Sequence, residues 1–234
     1  MSANQYVLVQ GLRETRETLS GWRQGDWRVL RGWAFAALAI ACVLLGAVFL
    51  VASQAQPDIT WIHLAGITEP AGPLNVVAVL SRNSLVLAFH ATACVAGFIA
   101  GASMPVAARN RTGVSRWVHV KAGKIAIVLV GAVTLFSLST QAYILGSEGS
   151  TIANGLHISP GLLVLSVVPH ALPELAALFL PLAAWLLASR SGDWNKLLAA
   201  TFVTVGVAIP VLVLCACWEV YVWPHILIEL SPQF

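Results

Sequence analysis

Charge is what this chain has least of. Only 10% of its 234 residues are Asp, Glu, Lys or Arg, against 58% hydrophobic residues and a mean hydropathy of +0.82. A soluble domain carries about 25% charged residues, so one or two water-soluble domains are excluded. Cysteine is also scarce. Cys42, Cys94, Cys215 and Cys217 all fall inside apolar runs and read as small packing residues. Cys215 and Cys217 are two apart and would point to different helix faces, which makes them a poor metal pair. No Walker motif, His-Glu-x-x-His or Gly-x-Ser-x-Gly occurs, so ATPase, zincin and serine-hydrolase chemistry have no signature here.

What is present is a series of apolar runs that reach the roughly 20 residues needed to cross a bilayer as a helix. The expected fold is all-α, a polytopic transmembrane helical bundle of about five spans. The expected organisation is a cytoplasmic amphipathic or juxtamembrane segment over 1–32 and a transmembrane domain over 33–234. In 1–32, Arg13, Arg16, Arg23, Arg28 and Arg31 are interleaved with Trp22 and Trp27, a pattern suited to an anionic membrane surface. The first apolar run is about 20 residues long, beyond the length of a signal-peptide core. It reads as a retained anchor.

Spans are expected at 33–53, 83–104, 123–145, 156–188 and 197–222, with loops at 54–82, 105–122 and 146–158, the last overlapping the start of the fourth apolar run. The piece 74–80 is too short to span and reads as interfacial or re-entrant. Placing residues 1–32, 105–124 and 189–196 on one side collects 12 of the 13 Lys/Arg, leaving Arg82 alone on the other. The positive-inside rule then puts the N-terminus in the cytoplasm and the C-terminus outside, in the cell membrane. The net charge of +3 follows this topology and is no sign of nucleic-acid binding.

The fourth span is anomalous. A helix over 156–188 would measure about 50 Å at 1.5 Å per residue, too long for a core of about 30 Å. Pro160, Pro169, Pro173 and Pro181 punctuate it. The expectation is a broken element, a partial helix or re-entrant piece through Val168, with a helix starting near Pro169. His170 and Glu174 lie in this run four residues apart, on one face of any helix. Ionisable residues in hydrocarbon are costly and usually face a protein interior or a cavity. With Asn83, His90 and Glu219 they form a candidate polar layer in the outer half of the membrane. Each has a plainer reading: Asn83 as a helix cap, His90 as interhelical hydrogen-bond glue, Glu219 as an interfacial residue beside Trp218, Tyr221 and Trp223. His63, His157 and His225 read as exposed loop residues.

Over about residues 75–234 the chain resembles the stage II sporulation protein M family of integral membrane proteins. The resemblance rests on Arg82-Asn83, Asn154-Gly155, Pro169-His170 with Glu174, and Glu219 in Cys-Trp-Glu-Val-Tyr-Val-Trp-Pro. Ala171 stands where the family usually has glycine, and Pro173 precedes the glutamate rather than following it. The resemblance implies a five-span component of a membrane complex, acting as scaffold or transport accessory, with no catalytic activity or cofactor. Its expected partners are membrane lipids, other membrane or cell-envelope proteins and further copies of the chain. A second reading is a membrane-embedded hydrolase. There His90 and His170, with Glu174 or Glu219, would hold zinc, and the spare carboxylate would act as general base.

Overall fold

The computed structural model describes residues 13, 15–21, 27–58 and 64–232. Trp22, Arg23 and His63 lie outside the described residues. The chain is an all-α helical bundle, and among the described residues the nearest approach to a strand is one isolated bridge between Ala65 and Glu69. The long helices are α1 (Trp27–Ala52), α2 (Pro73–Phe98), α3 (Gly113–Gly155), α4 (Pro160–Ser191) and α5 (Leu197–Tyr221), followed by the short α6 (Trp223–Leu230). Five segments are long and apolar enough to cross a membrane: Arg28–Ala52, Pro73–Asn110, Gly113–Gly155, Pro160–Ser191 and Trp194–Leu230. Phe35, Val128, Phe136 and Leu214 are each more than 70% exposed along them. Such side chains are at home against lipid tails. This is a multi-pass membrane protein.

Three boundaries differ from expectation. The fourth segment is not broken near Pro169: α4 runs unbroken through Pro169, Pro173 and Pro181. Each interior proline removes one donor and frees the carbonyl four residues earlier. In an apolar surrounding, however, abandoning the helix would leave many more backbone groups unpaired. Pro169 and Pro173, four apart, share an exposed face, while His170 and Glu174 turn the neighbouring face inward.

Of the stretch 146–158, expected as a loop, residues 146–155 are the last part of α3 and only the remainder connects to α4. Its glycines and serines were misleading as composition and informative as spacing. Gly146, Gly149, Ser150 and Ala153 recur every three or four residues and are all buried, a small-residue stripe that lets helices approach closely. Ser150 Oγ donates to the Ala55 carbonyl at 2.9 Å, and the Asp58 N–H donates to Thr151 Oγ1 at 3.0 Å. The helix ends at Asn154-Gly155, followed by His157 in the left-handed region at φ 56°.

The third difference is that the apolar piece 74–80 is not a separate short element. It forms the opening turns of α2, with Pro73 at the first helical position. Asn83 is therefore well inside α2 and is not a cap.

The chain divides into two compact units, and each long helix contributes to both. One unit comprises Met1–Ala37, Val86–Val133 and Leu178–Val207. Its core sets Trp33 against Ala184, Ala199 and Ala200, all at most 5% exposed. At the end of α2 the helix widens into a π-helical turn, Ile99–Ser103. There Gly101 meets the Trp194 ring so closely that a Cβ would overlap the indole. The other unit comprises Leu38–Leu85, Thr134–Ala177 and Ala208–Phe234. Its core joins Leu156, Leu163, Trp223 and Leu227 with Leu64 and Ile67 packed against them. Gly66, at φ 85°, approaches Pro224 so that a Cβ would lie 2.8 Å from its ring. Charge separates sharply. Among the described residues the first unit holds eleven Lys/Arg and two Asp/Glu; the second holds Arg82 and six Asp/Glu.

Candidate functional site

Glu174 is the centre of the site, half-buried on the inward face of α4. Asn83, on α2, donates from Nδ2 to Glu174 Oε1 at 2.7 Å. Glu219 and Arg82 both act on the Glu174 carboxylate through space, and Arg82 also acts on Glu219. No ion pair forms: among the described residues Glu219 has neither hydrogen bond nor salt bridge, and Glu174 has only the bond from Asn83. Cys215, buried one turn before Glu219 on α5, lies in the field of both carboxylates.

One turn along, the same pair of segments makes a second contact. His170, four residues before Glu174, packs against Trp223, four residues after Glu219, with ring centroids 5.6 Å apart and the rings tilted by 53°. The Trp223 indole N–H donates to Ser166 Oγ at 3.0 Å, and that hydroxyl donates to the Leu163 carbonyl at 2.7 Å. His170 is 4% exposed, and its Nδ1 is buried without a hydrogen-bond partner.

Four of the five expected residues therefore belong to one compact unit: Asn83, His170, Glu174 and Glu219. They converge although the fourth segment is continuous. The opening turns of α2 lie ahead of Asn83, so both elements run longer before reaching the site, and their register is preserved.

His90 is the exception. It belongs to the other unit and is 1% exposed. Its Nδ1 bonds the Leu178 carbonyl at 3.0 Å, and its ring packs on Phe179 with centroids 5.3 Å apart. Since a carbonyl only accepts, Nδ1 carries a proton and is the donor. Cys94, one turn further on α2, donates to the Pro181 carbonyl at 3.1 Å. His90 and Cys94 are thus helix-to-helix ties. Among the described residues no three His, Cys, Asp or Glu side chains come together as a group fit to hold a metal ion. The donor set expected for zinc is accordingly not assembled.

His157 and His225 are exposed, His225 on α6 rather than in a loop. Asn154-Gly155 ends α3 and takes no part in the site. Sequence reasoning overlooked Arg82, Ser166, Trp223 and Cys215 as members. Arg82 had a signal, being the one basic residue on its side of the charge division and adjacent to Asn83. Trp223 had one as well, in its four-residue spacing from Glu219. Comparisons with protein-family models, curated proteins and solved structures found no match to this chain.

Proposed function

We propose that this chain is a membrane-complex component of the stage II sporulation protein M type. It works as scaffold or transport accessory through the polar site at Glu174. One observation carries the reading. Three motif pieces that are remote in sequence, Arg82-Asn83, Glu174 and Glu219, meet around one carboxylate. Polar groups inside an apolar bundle are costly, and such residues are functional by default. The long exposed apolar faces of α1, α3 and α5 leave room for membrane neighbours beside the site.

The same reading places the protein in the cytoplasmic membrane, with its N-terminus inside and its C-terminus outside. The twelve basic residues of the segments 1–32, 105–124 and 189–196 support that orientation. The Glu174 site then opens toward the extracytoplasmic side.

The test is blue-native electrophoresis of gently solubilised membranes containing the tagged chain at its natural level, with quantitative mass spectrometry of the band. The expected result is an assembly much larger than the 24.8 kDa chain, containing other membrane or envelope proteins at fixed stoichiometry. Migration as the lone chain overturns the proposal.

A further inference from the structure

Lys121 and Lys124 stand three apart on α3, so their side chains are neighbours on one face of the helix. Trp117 lies on that face one turn before Lys121, and Val128 lies on it one turn after Lys124. All four are exposed, Trp117 by 57% and Val128 by 72%. The rotation of the helix is fixed from behind. Ala122 is buried, and a Cβ at Gly123 would lie 3.6 Å from both Gly101 Cα and the Trp194 ring. The lysine face therefore turns away from its own bundle.

Like charges at this spacing repel and destabilise a helix unless something answers them. No protein group does. Among the described residues neither lysine forms a salt bridge, nor does the nearby Arg116. The two described acids of this unit are already engaged, Glu17 with Arg13 and Asp193 with Lys196. Residues 70–147 contain no Asp or Glu. The counter-charge has to come from outside the chain.

The rest of the face indicates what carries that charge. Helical side chains lean toward the N-terminus, which brings both ammonium groups toward Trp117 and away from Val128. An exposed indole beside them is suited to headgroup depth. On the other side the face continues as apolar surface. Past Val128, a Cβ at Gly131 would meet nothing within 4 Å, so the stripe ends in an open notch. A small soluble anion would use the lysines alone. An anionic phospholipid uses the whole face, with its phosphate between the lysines and an acyl chain along Val128 and Gly131.

We infer that this face of α3 is a binding site for an anionic phospholipid of the leaflet beside Lys121. It belongs to the other compact unit from Glu174 and stands or falls independently of that site.

The chain supplies its own control. It has three lysines, and the third, Lys196, is exposed and paired with Asp193. The full-length chain is placed in phosphatidylcholine nanodiscs, with or without a minor fraction of phosphatidylglycerol of the same acyl chains. A pulse of acetic anhydride is read lysine by lysine by peptide mass spectrometry. Phosphatidylglycerol should slow Lys121 and Lys124 about fivefold each, the factor one cation gains beside an anionic lipid surface, and leave Lys196 unchanged. Native mass spectrometry of the delipidated chain should show phosphatidylglycerol retained about thirtyfold more tightly than phosphatidylcholine, the product for two lysines.

Lys121→Gln with Lys124→Gln should abolish that preference, and Lys196→Gln should keep it. Both lysines are exposed, so the double variant should fold; should it not, the wild-type acetylation pattern decides. Glycerophosphoglycerol, the same headgroup without acyl chains, should protect neither lysine, and protection by it at the lipid's concentration would overturn the lipid assignment. Equal slowing of Lys196, no slowing of Lys121 and Lys124, or a preference that survives the double variant overturns the inference.

Discussion

Asn83 and Glu174 are 91 residues apart in the chain and joined by a 2.7 Å hydrogen bond. The bond turns two polar intrusions in separate apolar helices into a single feature. Hydrogen bonds between membrane helices average about 0.6 kcal/mol and reach about 1.7 kcal/mol, since the unfolded helices also find partners. Asn83→Ala should destabilise the protein within that range, measured by unfolding in mixed micelles. The double variant Asn83→Ala with Glu174→Gln should lose less than the sum of the single losses. Strict additivity would show that the two side chains do not interact.

His90 gives a sharper test of geometry. Its Nδ1 bonds the Leu178 carbonyl, and an asparagine amide nitrogen lies close to where Nδ1 does. His90→Asn should therefore retain more stability than His90→Gln, whose amide reaches toward the Nε2 position. The expected gap is about 1 kcal/mol, the usual net value of one hydrogen bond. Thermal unfolding in detergent reads it. If His90→Gln proves the more stable, the tie to Leu178 is not what holds this histidine.

Much of this architecture was legible from composition and periodicity, and the failures share one cause. The membrane class, five spans and the shared face of His170 and Glu174 follow from apolar run length and the four-residue spacing. The helical identity of 146–155 was hidden because glycine and serine are read first as loop formers. Their three-and-four spacing at Gly146, Gly149, Ser150 and Ala153 was the better guide. The continuity of α4 was hidden because proline is read as a break, a rule calibrated in water, where freed carbonyls can be solvated. That Glu219 comes within electrostatic range of Glu174 depends on how α4 and α5 pair, which no local pattern encodes.

Gly101 and Trp194 make a prediction about packing alone. A Cβ at Gly101 would overlap the indole, so Gly101→Ala forces the ring or the π-helical turn to move. Overpacking of this kind costs about 1–3 kcal/mol. Trp194→Ala opens the space, so Gly101→Ala should cost less in a Trp194→Ala background than in the wild type. A loss from Gly101→Ala that persists unchanged without the indole would point to the backbone of the turn instead.

Orientation can be read on the single helix α3, which at about 1.5 Å per residue is some 64 Å long and outreaches the bilayer core. Glu148 lies near one end, and Thr112 immediately precedes the other. Both are exposed. Arg111, Arg116, Lys121 and Lys124 cluster near Thr112, while the last third of the helix has no basic residue. Single cysteines at the two positions, in a chain whose native cysteines are blocked, should differ in labelling by an impermeant maleimide applied to intact cells. Glu148→Cys should label from outside, and Thr112→Cys only after the membrane is opened. The reverse pattern would put the basic segments outside and the Glu174 site toward the cytoplasm. The site's composition would be unchanged, but its partner would have to come from the other compartment.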